Sequence, residues 1–146
     1  MTENIPDPEQ EAEQHWLAAE REKVLQYLEI EGCQHAGLAE WPTFSVVPHL
    51  ALWAVQSTKH EGRIGWWAIS GDVPTDYMSS SDGEQPQDAL RHFSSQWRDV
   101  AGYLNRGEEH PTMDLGEPED WPELAAVLEE RAAALEQFAE ELDEES

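Results

Sequence analysis

Asp72 and Asp76 stand four residues apart in "SGDVPTDY", directly after the apolar run "IGWWAI". Paired carboxylates in a loop at the carboxyl end of a strand can serve as general acid and base, or hold a divalent cation. Arg91 and His92 follow on the next segment and would add a carboxylate clamp and a proton carrier. Together the four residues outline the catalytic set of a small hydrolase or metal-dependent enzyme. The same residues also have a structural reading. Asp72 after Gly71 can bond the backbone of a turn, Pro74 fixes its dihedral, and Thr75 or Asp76 can cap the next segment. Arg91 can pair with Asp88 one helical turn back, or reach the loop carboxylates as a clamp. Asp, Gly, Pro and Thr are ordinary turn residues, so the structural reading is preferred.

Other chemistry finds little footing. His15, His35, His49, His60, His92 and His110 are scattered, with no i, i+4 pair for zinc, and Cys33-x-His35 is the one close Cys/His combination. The alternating acidic loop of a calcium hand, the Gly-x-Ser-x-Gly elbow and the Walker loop are all missing. No metal and no cofactor are expected. Cys33 is the single cysteine, which excludes an internal disulfide and fits a reducing compartment.

The charge is the strongest global signal. The chain carries a formal −24 over 146 residues. Asp and Glu outnumber Lys and Arg by 9 to 2 over residues 1–31 and by 15 to 1 over 108–146, whereas 32–58 has 1 against 0 and 59–107 has 7 against 5. A near-neutral middle thus lies between acidic ends. Such a surface repels nucleic-acid phosphates and anionic membranes, and attracts basic proteins or cations. No nucleic acid and no membrane partner are expected. The leading functional reading is a non-enzymatic, acidic protein-binding module, of the inhibitor or immunity-protein kind, engaging a basic partner. An acidic mimic of nucleic acid is a special case of it. The binding residues it names are Leu135 and Phe138 as apolar anchors among Glu129, Glu130, Glu136 and Glu140. The competing account is that acidic ends only keep a small protein soluble.

These residues need elements to position them. Asp7-Pro8 reads as a cap and first helical residue, and Leu17, Val24 and Leu28, flanked by Trp16 and Leu25, form a stripe that stops at Gly32. Ser45 to Gln56 and Ile64 to Ser70 read as an antiparallel hairpin with Leu50 and Leu52 on one face and Trp53 and Val55 on the other. Pro48 belongs at a strand entrance, an edge or a bulge. Pro86 opens a second helix whose Leu90, Phe93, Trp97, Val100, Ala101 and Leu104 repeat at helical spacing before Gly107. Asp120 is a candidate cap for a final acidic helix with Leu124, Val127, Leu128, Leu135, Phe138 and Leu142 on its stripe. The expected fold class is α+β, in one domain over 1–146 with 1–8 and 140–146 frayed. Trp41 to Thr58 lacks charge but is broken by Pro42, Pro48 and His49, so it is read as buried strand rather than a membrane span. The acidic N-terminus is not a signal peptide, and a cytoplasmic protein is expected.

The run "WWAISGDVPTDYMSSSDGEQPQDALRHFSSQWR", with the preceding "PHLALWAV", resembles an uncharacterised bacterial family of short acidic proteins. Its shared core reads Trp-x-Ile-Ser-Gly-Asp-x-Pro-Thr-Asp, followed by Ala-Leu-Arg-x-Phe and a Trp. The resemblance covers about residues 45–100 and leaves the acidic ends outside. It implies an intact bacterial cytoplasmic domain and no particular mechanism.

Overall fold

Asp7 and Pro8 begin the first helix as their types suggest. Asp7 keeps an extended backbone and its carboxylate accepts the Glu9 N–H at 3.1 Å, while Pro8 takes the first position of α1 (Pro8–Ile30). The computed structural model describes residues 7–71, 75–111 and 116–145. The chain divides into two compact units, Met1–Asp82 and Gly83–Ser146.

In the first unit α1 closes on Gly32 at φ 74°, with Gly32 N–H bonded to Glu29 O at 3.1 Å and Cys33 N–H to Leu28 O at 2.9 Å. Those two bonds satisfy carbonyls that the helix end would otherwise leave open. The sheet is antiparallel in the order β1 (Phe44–Val46), β2 (Leu50–Gln56), β3 (Ile64–Gly71) and β4 (Asp76–Ser79). Val24 and Leu28 of α1 are buried with Ala51, Trp53, Val55 and Ala68 from one face of that sheet, and Trp16, Leu17 and Leu25 pack around them. Arg21 reaches past the helix to Leu38 O at 2.8 Å and Ala39 O at 3.0 Å, which ties the 33–43 segment to α1.

Two features of the sheet depart from the sequence expectation. The stretch 45–56 is two strands, not one, because Pro48 lacks an N–H for the ladder and lies in the turn between them, closed by His49 N–H to Val46 O. A fourth strand, β4, starts one residue after Thr75. It is only four residues long and carries no apolar alternation of its own. The expected alternation holds elsewhere: Leu52 opposes Ile69, Trp53 opposes Ala68, and Leu50, Leu52, Trp53 and Val55 are all buried. The Trp53 indole N–H donates to Ser70 Oγ at 3.2 Å, so its polar edge is satisfied inside the core.

The second unit is a helical pair, α2 (Pro86–Asn105) and α3 (Trp121–Glu145). Asp88 accepts the Gln85 N–H at 3.1 Å and so caps α2 from within its first turn. All six expected stripe residues of α2 are buried, from Leu90 to Leu104. Asp120 directly precedes Trp121, the first residue of α3. It ends a 3-10 turn, Pro118–Asp120, with its N–H bonded to Glu117 O at 2.9 Å.

The buried line of α3 also differs from the expected one. It runs Trp121, Ala125, Leu128, Ala132, Leu135, Ala139, whereas Leu124, Phe138 and Leu142 are half-buried and Val127 is exposed. Alternating Ala with Leu lets the two helices approach closely enough for Ser94 Oγ to donate to Ala132 O at 2.8 Å. The helix also continues through residues 140–145. Asp143 there pairs with Arg91 at the surface.

Candidate functional site

The strand-exit corner is built around Gly71, the last residue of β3. Its φ is 130°, and a Cβ at that position would lie 2.1 Å from His49 O, so only glycine fits there. Asp72 and Pro74 lie outside the described residues. Asp76 opens β4, and its Oδ1 accepts the Tyr77 N–H at 2.8 Å and the Tyr27 hydroxyl at 3.5 Å. Lys23 donates to Gly71 O at 3.2 Å and pairs with Glu20 at 2.9 Å.

Lys23 and Tyr27 were not legible as corner residues in the sequence. They stand one turn apart on α1, beside the buried Val24 and Leu28, so the helix that covers the sheet also delivers them. The Tyr27 and Tyr77 rings meet edge to face at 5.9 Å. Burial, and then the Asp76 carboxylate, holds the Tyr27 phenol above its usual range. Burial raises Tyr77 as well, and it raises the Cys33 thiol. A nucleophilic cysteine needs the opposite shift, toward thiolate. At neutral pH the corner therefore presents two neutral phenols, a neutral thiol and a carboxylate already accepting hydrogen bonds.

Arg91 and His92 lie on α2 in the second unit. The Arg91 guanidinium pairs with Asp143 near the end of α3, a partner 52 positions away, and not with Asp88, which is occupied in capping. The hydrogen bond to Asp143 raises Arg91 and lowers Asp143 from their ordinary values. His92 is exposed, with its ring edge-on to Phe93 at 5.7 Å. Of the four residues of the hydrolase reading, Asp76 thus has hydrogen-bond partners within the first unit and Arg91 an ion-pair partner within the second. Among the described residues no three His, Cys, Asp or Glu side chains are grouped to hold a metal ion.

The acidic helix sorts its carboxylates into two sets. Facing α2, Glu136 accepts from Arg98 at 2.9 Å and from Ser94 at 3.2 Å, and Glu129 accepts from Asn105 at 3.3 Å. With Arg91–Asp143 these contacts form a polar seam along the helical pair. On the outside, Glu123, Glu130, Glu140, Glu141 and Glu144 are exposed and no described cation lies within salt-bridge distance of them. Leu135 needs correction as a surface anchor: it is 0% exposed, because it belongs to the Ala/Leu line packed inward. Phe138 is half-buried.

One family model matches this chain, described as Domain of unknown function (DUF4826), over residues 9–145. The chain belongs to the DUF4826 family. The match is wider than the 45–100 core of the sequence resemblance: it starts in the first turn of α1 and reaches the last residue of α3, so both acidic helices are part of the DUF4826 domain. No curated protein and no solved structure matches the chain. No helix among the described residues is long and apolar enough to cross a membrane.

Proposed function

We propose that this DUF4826 chain is a non-enzymatic, acidic protein-binding module of the bacterial cytoplasm, acting as an inhibitor or immunity-type protein on a basic partner. The observation that carries this reading is the sorting of charge on α3. The cations of α2 are used on seam carboxylates, Arg91 on Asp143 and Arg98 on Glu136, which leaves Glu123, Glu130, Glu140, Glu141 and Glu144 facing solvent. A row of like charges on one helix destabilises that helix modestly. It also generates a field that steers and holds a cationic surface. The hydrolase reading draws no comparable support, since Arg91 is engaged with Asp143 and the Tyr27 phenol and Cys33 thiol are shifted up, away from their nucleophilic forms. The binding surface is accordingly the exposed face of α3, with Glu130 and Glu140 retained from the sequence-level set and Leu135 dropped from it. Affinity capture on the full chain at low and high salt, with retained proteins identified, tests the proposal. The expected outcome is one or a few basic proteins retained at low salt and released at high salt. Retention of no basic protein at low salt overturns it.

A further inference from the structure

An apolar groove opens at the N-terminal end of α3. It encloses about 390 Å³ and is lined by Gly116, Asp120, Glu123, Leu124 and Val127. Val127 is 43% exposed, an unusual amount for a large apolar residue in this chain, and Leu124 is half-buried beside it. Gly116 keeps the wall close, since a Cβ there would come within 3.0 Å of Leu124 Cδ1. Two carboxylates, Asp120 and Glu123, border the apolar floor, and Glu117 and Glu119 are exposed next to it. No described Lys, Arg or His lies within salt-bridge distance of these four.

The helix dipole opposes a cation at this end of α3, but only with the equivalent of about half a positive charge. Four formal negative charges within seven residues outweigh it. We infer that this groove is the anchor site of the binding surface, taking one bulky apolar side chain of a partner segment whose flanking residues are Lys or Arg. The inference rests on the proposed acidic-module function and deepens it. Charge complementarity selects the occupant: an acidic partner segment meets the Asp120 and Glu123 rim with like charge, and a purely basic one leaves the Leu124 and Val127 floor wet. A segment combining the two uses the apolar floor for dissociation rate and the acidic rim for association rate.

The test uses the full chain and two short synthetic peptides of Lys and Gly, one with a central Trp and one with Ala in its place, read by fluorescence anisotropy at low salt. Val127→Glu is the informative variant, because it adds negative charge to the surface while removing the apolar floor. Val127 is exposed, so the fold should persist, which circular dichroism checks. The groove account expects Val127→Glu to weaken the Trp peptide by about ten-fold or more and to leave the Ala peptide unchanged or slightly tighter. If Val127→Glu binds the Trp peptide as tightly as the native chain or more tightly, attraction is diffuse charge alone; the groove is then overturned while the acidic-module reading stands. If neither peptide binds the native chain at low salt, both fall together. Should Val127→Glu lose its helical signal, Glu123→Lys replaces it: the groove account expects a larger loss for the Trp peptide than Glu141→Lys produces, and equal losses overturn it.

Discussion

The Gly71–Asp76 corner and the outer face of α3 both hold carboxylates, and they use them in opposite ways. At the corner, Asp76 accepts from Tyr77 and Tyr27, Lys23 binds the Gly71 carbonyl, and burial raises the nearby phenols and thiol still further above neutral pH. On α3 the carboxylates beside α2, Asp143 and Glu136, take up Arg91 and Arg98 at the surface, and Glu123, Glu130 and Glu141 have no described cation within salt-bridge distance. The residue type is the same; what differs is whether a donor lies within reach. Asp76 is engaged locally by backbone and phenol donors, whereas the outer carboxylates of α3 have no described cation within salt-bridge distance.

The largest effects should come from the apolar side of the helical pair. Trp97 and Leu135 are both 0% exposed. Trp97→Ala should cost about 3–5 kcal/mol and Leu135→Ala about 2–5 kcal/mol in urea unfolding. Glu130→Ala and Glu140→Ala should each stay within about 0.5 kcal/mol. A cost below about 1 kcal/mol for Leu135→Ala would return it to the surface and break the division between inner and outer faces.

That division shows which parts of the molecule were legible in the sequence. The stripe of α2 was fully readable, because Leu90, Phe93, Trp97 and Leu104 are large and recur without interruption. The line of α3 was only half readable: Leu128 and Leu135 are on it, but the other places go to Ala125, Ala132 and Ala139. Alanine occurs on the exposed side too, at Ala126 and Ala133, so periodicity does not single out the buried ones. β4 escaped notice because four residues after a Pro-Thr pair look like a turn continuing. Arg91 suggested the nearby Asp88, and its partner Asp143 required knowing that α2 and α3 run side by side. Tyr27 and Lys23 joined the corner for the same reason, through packing between segments far apart in the chain.

A smaller effect should sharpen the account of the corner. The Tyr27 phenol titrates above its ordinary value near 10 in the folded chain, whereas the unfolded chain releases that proton near 10. Its contribution to stability is therefore complete below pH 10 and lost as pH rises toward the folded value. Tyr27→Phe should remove this part of the alkaline slope in unfolding measurements. Asp76→Asn should lower stability by roughly 1 kcal/mol through the weakened acceptor. A slope unchanged by Tyr27→Phe would mean that the phenol is not the group held neutral there.

The smallest expected effect lies in the seam. Arg91 and Asp143 are both exposed, so a double-mutant cycle with Arg91→Ala and Asp143→Ala should show detectable but minor coupling. A cycle between Arg91 and Asp88 should be additive. Because the Asp143 carboxyl is held below its ordinary value, the coupling should be present at neutral pH and fade as acid protonates it. Coupling to Asp88 and not to Asp143 would undo the polar seam.

The central claim, that the exposed carboxylates of α3 form the encounter surface, is tested most directly by association kinetics with the basic partner identified by capture. The native chain and the triple variant Glu130→Lys, Glu140→Lys, Glu141→Lys would be compared from low salt to an ionic strength where the Debye length is about 8 Å. Glu130 and Glu141 have no described cation within salt-bridge distance and Glu140 has only the longer-range attraction of Arg91, so the fold should be kept, which circular dichroism checks. The account predicts rapid, salt-sensitive association for the native chain, and slower, less salt-sensitive association for the triple variant, with dissociation rates close to equal. Equal association rates and equal salt dependence for the two chains would contradict it.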